Sequence, residues 1–308
     1  VAEQSGMQLT ELYEQVIAGN FRALARAISL VENEMPGYGQ FLQELTFTRF
    51  TPVIGITGPP GAGKSSLVNA LVGTLLAQKA KIAILAIDPT SPFNYGALLG
   101  DRIRLAQHFN NPDVYIRSMA TRGSLGGLSD KIIEVTDVVR NAPFDYIFIE
   151  TVGVGQSEVE IAGLADTTIV VMVPEAGDEI QTMKSGIMEI ADIFAVNKAD
   201  RDSADAFARN LGKMLHEKPA AAWNVPVIKT IANKNEGIEE LLAQIQKHTQ
   251  INQLNPKKAF LLAQKALQLI QKQRMKDIDR IGLKNQIAQL LAQNRHFNLY
   301  RFIEKYYT

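Results

Sequence analysis

The chain has 308 residues, 46% hydrophobic and 21% charged, enough for one α/β domain of about 200 residues with smaller appendages. It has no cysteine, which excludes disulfides, zinc ribbons and thiol catalysis, and its histidines (His108, His216, His248, His296) are too scattered to suggest a metal-delivery site. Formal net charge is zero, no apolar run reaches the roughly 18 residues that span a bilayer, and the start lacks a basic-then-apolar signal, so a cytoplasmic setting away from membranes is expected.

Residues 1–48 are expected to form a helical cap. Leu9, Leu12, Tyr13, Val16 and Ile17, then Phe21, Leu24, Ala25, Ile28 and Val31, keep the three-four spacing of one amphipathic helix. Pro36-Gly37 ends it, and a second helix is expected from Gly39 to Leu45. Nothing in this stretch suggests chemistry.

From 49 to 255 strands alternate with amphipathic helices. The strands are expected at 52–57, 81–87, 114–117, 146–150, 167–173, 193–196 and 225–230, with helices such as Asp130–Arg140 and Ala204–Leu215 between them. Near-continuous apolar strands such as Ile169-Val170-Val171-Met172-Val173 require a sheet covered on both faces. The expected fold is therefore α/β, a doubly wound, mostly parallel sheet with its ligand at the carboxyl ends of the strands.

The stretch Gly58-Pro59-Pro60-Gly61-Ala62-Gly63-Lys64-Ser65, continued by Ser66, lies between the first strand and a helix. Its G-x-x-x-x-G-K-S pattern sets backbone N–H groups at a helix N-terminus, where they and the helix dipole attract phosphate. Lys64 is placed to reach the β- and γ-phosphates, and the Ser65 hydroxyl to join a Mg²⁺ shell. Asp88 ends the next strand, and Asp101 follows in Gly100-Asp101-Arg102; both are acids that could serve water or Mg²⁺, or simply be solvated. The strand Tyr146–Glu150 ends in E-x-x-G, giving an acid for Mg²⁺ at Glu150 and an N–H for the γ-phosphate at Gly153. Val154 stands where many GTPases orient water with glutamine, which predicts slow hydrolysis unless help comes from elsewhere.

Asn197-Lys198-Ala199-Asp200 follows the 193–196 strand as an N-K-x-D motif. A carboxylate at Asp200 can accept from guanine N1–H and its 2-amino group. Adenine has neither donor, and sites of this kind discriminate by roughly 10⁴–10⁵. Ala232, after the last strand, offers an N–H to the guanine carbonyl. GTP, not ATP, is the expected nucleotide.

Residues 256–308 change character. They carry eleven Lys+Arg against three Asp+Glu and place Leu262, Ala266, Leu269, Leu283, Ile287, Leu290 and Leu291 on helical stripes, as expected for two long helices joined near Gly282. Such an arm packs on its own core or on a second copy of the chain; it has no recognisable nucleic-acid module.

Several further stretches are distinctive: Asp88-Pro89-Thr90-Ser91-Pro92, Gly100-Asp101-Arg102, Arg117-Ser118-Met119-Ala120-Thr121-Arg122-Gly123, Leu125-Gly126-Gly127, the run Glu150-Thr151-Val152-Gly153-Val154-Gly155-Gln156-Ser157-Glu158, and Glu175-Ala176-Gly177-Asp178-Glu179-Ile180-Gln181-Thr182-Met183-Lys184. Together they resemble the MeaB/ArgK (MMAA-like) family of GTPases, chaperones of adenosylcobalamin-dependent methylmalonyl-CoA mutase. The resemblance implies a SIMIBI-class P-loop domain, a homodimer held by the C-terminal arm, and GTP-dependent gating of cofactor loading into the mutase, which is also protected. It assigns Ser65, Asp88, Asp101 and Glu150 to Mg²⁺ and hydrolysis. It makes 175–184 a switch whose chief side chains are Asp178 and Lys184. Ile231, where the family usually has serine, and Asn94-Tyr95 depart from its pattern. Two other functions remain to be weighed. An ATPase or kinase tied to amino-acid transport conflicts with the N-K-x-D motif, and a metal-delivery GTPase conflicts with the missing cysteines.

Overall fold

In this computed structural model the described residues are 2–88, 105–120, 131–151, 157–176, 185–216, 223–251, 256–293 and 297–306. The elements run α1 (Ala2–Ile17), α2 (Phe21–Glu32), α3 (Tyr38–Glu44), β1 (Val53–Thr57), α4 (Lys64–Ala77), β2 (Ile82–Asp88), β3 (Val114–Ala120), α5 (Ile132–Arg140), β4 (Tyr146–Glu150) and α6 (Ser157–Leu164). They continue with β5 (Thr167–Met172), α7 (Ser185–Ile190), β6 (Ile193–Val196), α8 (Ala204–His216), β7 (Val227–Lys229), α9 (Ile238–Thr249), α10 (Pro256–Arg274), α11 (Arg280–Gln293) and α12 (Leu299–Ile303).

Every strand pairing is parallel, and the seven strands lie in the order β3-β2-β4-β1-β5-β6-β7. The fold class expected from the sequence is thus the one observed. Alternate residues of each strand feed opposite faces. Ile54, Ile56, Ile169, Val171, Ile193 and Ala195 pack with Leu67 and Leu71 of α4 and Leu241 and Ile245 of α9. Val170, Met172, Phe194 and Val196 pack on the other face with Ala162 of α6, Ile190 of α7, and Phe207 and Leu211 of α8. Among the described residues no helix is long and apolar enough to cross a membrane.

Two boundaries differ from expectation. The single helix expected over 9–31 is two, because Gly19 takes φ +81°, a left-handed conformation open to glycine, and Asn20 caps α2 by accepting from the Arg22 and Ala23 N–H groups. The break expected near Gly282 instead falls at 275–279. There the Asp279 carboxylate accepts from the N–H groups of Ile281 and Gly282, so the cap precedes the glycine and α11 runs through it. By internal contacts the chain forms two compact units, Val1–Ala259 and Phe260–Thr308.

Candidate functional site: a nucleotide cradle at the carboxyl edge of the sheet

β1 is central, between β4 and β5, and its last residues open into the loop 58–63. The loop is tightly built. Gly58 has φ +141° and a Cβ there would strike the Val171 carbonyl of β5; Gly63 has φ +88° and a Cβ there would strike Asn197 Nδ2. The first turn of α4 carries Lys64 and Ser65, both buried. Lys64 Nζ donates to the Gly58 carbonyl at 2.9 Å and to the Pro59 carbonyl at 3.1 Å, which lays the ammonium along the loop. Ser66 follows on the exposed side of the same turn.

Glu150 ends β4, opposite Ile56 of β1 and Ala86 of β2, and is 3% exposed. Its Oε1 accepts from Ser65 Oγ at 2.5 Å, the length of a charge-assisted O–H···O⁻ bond. This register explains how residues 85 positions apart meet: both strands end at one edge, and α4 starts there. The pair offers only hard oxygen donors, which suit Mg²⁺, an ion that takes one or two protein ligands and fills its octahedron with phosphate and water. Among the described residues no group of three or more His, Cys, Asp or Glu side chains could hold a metal alone.

The base side is wired to the same loop. Asn197, 2% exposed, donates through Nδ2 to the Ala62 carbonyl at 2.9 Å. Its Oδ1 accepts from the Ala232 N–H at 3.2 Å and the Thr230 hydroxyl at 3.3 Å. The Ala232 N–H, expected to face a base carbonyl, is therefore engaged by Asn197. Lys198 sits at φ +56° and sends Nζ to the Gly61 carbonyl at 2.8 Å. Asp200 is 42% exposed, with Lys234 Nζ at 3.5 Å. Just beyond it Arg201 pairs with Glu175, whose carboxyl the guanidinium holds below the usual carboxylate range.

The structure thus gathers Gly58–Ser66, Glu150, Asn197, Lys198, Asp200 and Ala232 at one edge of the sheet, and the backbone of Asp88 ends β2 at that edge. The Asp88 side chain, and Asp101, Gly153, Val154, Asp178 and Lys184, lie outside the described residues. Sequence reasoning gave Asn197 a role toward the base but missed that it joins three loops; no local signal marks a side chain that bonds across 135 positions.

A parallel sheet whose central strand opens through a glycine loop onto a buried lysine and serine, with the N-K-x-D motif bonded to that loop, defines a P-loop GTPase. A family model described as methylmalonyl Co-A mutase-associated GTPase MeaB matches residues 24–285. The chain belongs to this family. It is 47% identical over 245 residues to a protein of Pyrococcus abyssi named as a GTPase, covering 78% of this chain and 76% of that one. It is 39% identical over 256 residues to the methylmalonic aciduria type A homolog, mitochondrial, of Caenorhabditis elegans, covering 76% and 64%, and 34% identical over 243 residues to the GTPase ArgK of Escherichia coli, covering 76% and 73%. A crystal structure titled LAO/AO transport system kinase aligns over 97% of this chain and 96% of that one, with 25% identity and a TM-score of 0.69. The protein hydrolyses GTP.

Proposed function

We propose that this GTPase is a chaperone of an adenosylcobalamin-dependent acyl-CoA mutase, methylmalonyl-CoA mutase foremost, gating cofactor loading and protecting the enzyme. The observation that carries this reading is the match to the mutase-associated family over residues 24–285. In it, the N–H groups of Gly58, Pro60's neighbours Gly61, Ala62 and Gly63, and Lys64, Ser65 and Ser66 surround the phosphates, while Pro59 and Pro60 shape the loop. The Lys64 ammonium exchanges the Gly58 and Pro59 carbonyls for phosphate oxygens. Ser65 and Glu150, with Asp88 and Asp101, would hold Mg²⁺, which would supply positive charge to offset that of the phosphates. Asp200 accepts from guanine N1–H and the amino group, Asn197 and Lys198 fix the base pocket, and the Ala232 N–H is shared with the guanine carbonyl.

In the reaction a water oxygen bonds to the γ-phosphorus as the bond to the β,γ-bridging oxygen breaks, leaving GDP, inorganic phosphate and a proton. Gly153 meets the γ-phosphate, and Asp178 and Lys184 report its presence to the mutase. Because Val154 cannot orient water, turnover alone is slow and the partner accelerates it. The chain works as a homodimer through its arm, a reading supported by Phe260, Leu267, Ile281 and Tyr300, all more than half exposed.

The test is steady-state GTP hydrolysis, alone and with excess methylmalonyl-CoA mutase from the same source. A many-fold rise is expected. An unchanged rate, with no complex in a non-hydrolysable GTP analogue, would refute the partner and leave the GTPase standing.

A further inference from the structure

Two loops on the base side of the cradle meet at their tips. The first, 197–201, is closed by the Arg201 N–H on the Lys198 carbonyl at 3.2 Å and tied by the Ala199 N–H to the Thr230 carbonyl at 3.1 Å. Asp200 stands at its tip. The second, 230–237, runs from β7 to α9 and forms a closed ring. Ile231 and Glu236 exchange backbone hydrogen bonds at 3.0 and 3.3 Å, and the Lys234 N–H donates to the Ile231 carbonyl at 2.9 Å. Asn235 at φ +57° and Gly237 at φ +74° turn the chain, and a Cβ on Gly237 would strike the Lys229 carbonyl. The Lys234 backbone is therefore fixed relative to Ala232 and, through the Ala232 N–H, to Asn197.

The cations around the N-K-x-D motif have separate acceptors. Lys198 reaches the Gly61 carbonyl, Arg201 pairs with Glu175, and Lys234 Nζ stands 3.5 Å from Asp200 Oδ2. Ile231, at the start of the same ring, has no side-chain group that could hold the carboxylate. The Lys234–Asp200 separation is that of an ion pair, too long for a strong hydrogen bond. Lys234 is 52% and Asp200 42% exposed, so the attraction is modest and screened by salt. Its effect is directional. A carboxylate has about four lone-pair sites, and guanine N1–H and the 2-amino group take two of them, which leaves room for the ammonium beside the same group.

We infer that Lys234 is a positioning residue for guanine recognition, orienting the Asp200 carboxylate from a rigid neighbouring loop. It strengthens binding of GTP and does nothing for ATP, whose adenine offers Asp200 neither donor. The inference rests on the proposed reading of Asp200 as the guanine acceptor.

The test is Lys234→Met in the full chain, with Kd measured for non-hydrolysable GTP and ATP analogues and kcat for GTP. The Kd for the GTP analogue should rise about threefold at low salt, the scale of a half-exposed ion pair, and the difference should shrink at high salt. The Kd for the ATP analogue and kcat should stay within about 1.5-fold, because no group at the phosphates is touched. Lys234→Arg, which keeps the charge, should recover most of the loss. In an Asp200→Asn background Lys234→Met should change nothing further. An unchanged Kd for the GTP analogue overturns the inference. So does a tighter one, which would make Lys234 a competitor of the base, and so does equal weakening of both analogues. If Asp200→Asn alone leaves the preference for the GTP analogue intact, the reading of Asp200 fails and takes this inference with it. If that preference falls while Lys234→Met has no effect, the inference alone fails.

Discussion

Asn197→Ala tests whether the base motif also holds the phosphate loop in place. The substitution deletes one buried amide and so removes three hydrogen bonds, to the Ala62 carbonyl, the Ala232 N–H and the Thr230 hydroxyl. Two backbone groups then lose their partner. Each costs about 1–3 kcal/mol if left unsatisfied, and water entering the space returns part of it, so about 2–4 kcal/mol of stability should go. In a domain of this size that lowers Tm by roughly 5–15 °C. The assay is thermal or urea unfolding of protein stripped of nucleotide, because bound nucleotide would add its own stabilisation. Asn197→Asp, which keeps the acceptor and loses the donor, should fall between. A loss under about 0.5 kcal/mol for Asn197→Ala would refute the reasoning and show that water replaces the amide at no cost.

Four further outcomes are expected. Lys64→Met should lower the GTP hydrolysis rate by about 10²-fold or more with the fold intact by circular dichroism; a smaller effect would take Lys64 out of the reaction. Asp200→Asn should reduce the preference for GTP over ATP by at least about 100-fold in competition binding, and retained preference would move guanine recognition elsewhere. Burial, opposed by Arg140 and Lys258 and reinforced by Glu134, pushes the Asp137 carboxyl up to about 6. Its folded pKa is above its unfolded one, so its stabilising share is complete below pH 4 and lost as pH rises through 6. Asp137→Asn should therefore raise Tm at pH 7.5 and not at pH 4. Finally, Ile281→Glu should shift the sedimentation coefficient from dimer to monomer if the arm, where Ile281 is 72% exposed, joins two copies.

The elements of the parallel sheet were legible because each strand is a short apolar run that reports its own burial. The phosphate loop was legible for a related reason: glycine spacing, lysine and serine are all local. Helix limits failed where a short polar side chain competes with the periodic pattern. Asn20 divides a stripe that continues through it, and Asp279 caps α11 three residues before the glycine that looked like the joint. What the sequence could not display were bonds across long separations, such as Ser65 to Glu150, Asn197 to Ala62, and Arg117 to Glu32. Each depends on which strand ends lie side by side, and the strand order is not written in any one segment.

That strand order also bears on how the molecule is made. β1 carries the phosphate loop, yet both of its neighbours come much later in the chain: Val53 pairs with Ile147 and Ile54 with Thr167. During synthesis the loop 58–63 emerges early with no strand on either side. Contacts so distant in sequence are slow to form, since a long loop must close before any of them is rewarded. A nascent chain that stops before Val171 lacks the carbonyl against which Gly58 is packed, and one that stops before Asn197 lacks the amide that holds Ala62. Nucleotide therefore cannot help fold the first half of the domain, and its binding becomes a late check that the whole sheet has closed around its central strand.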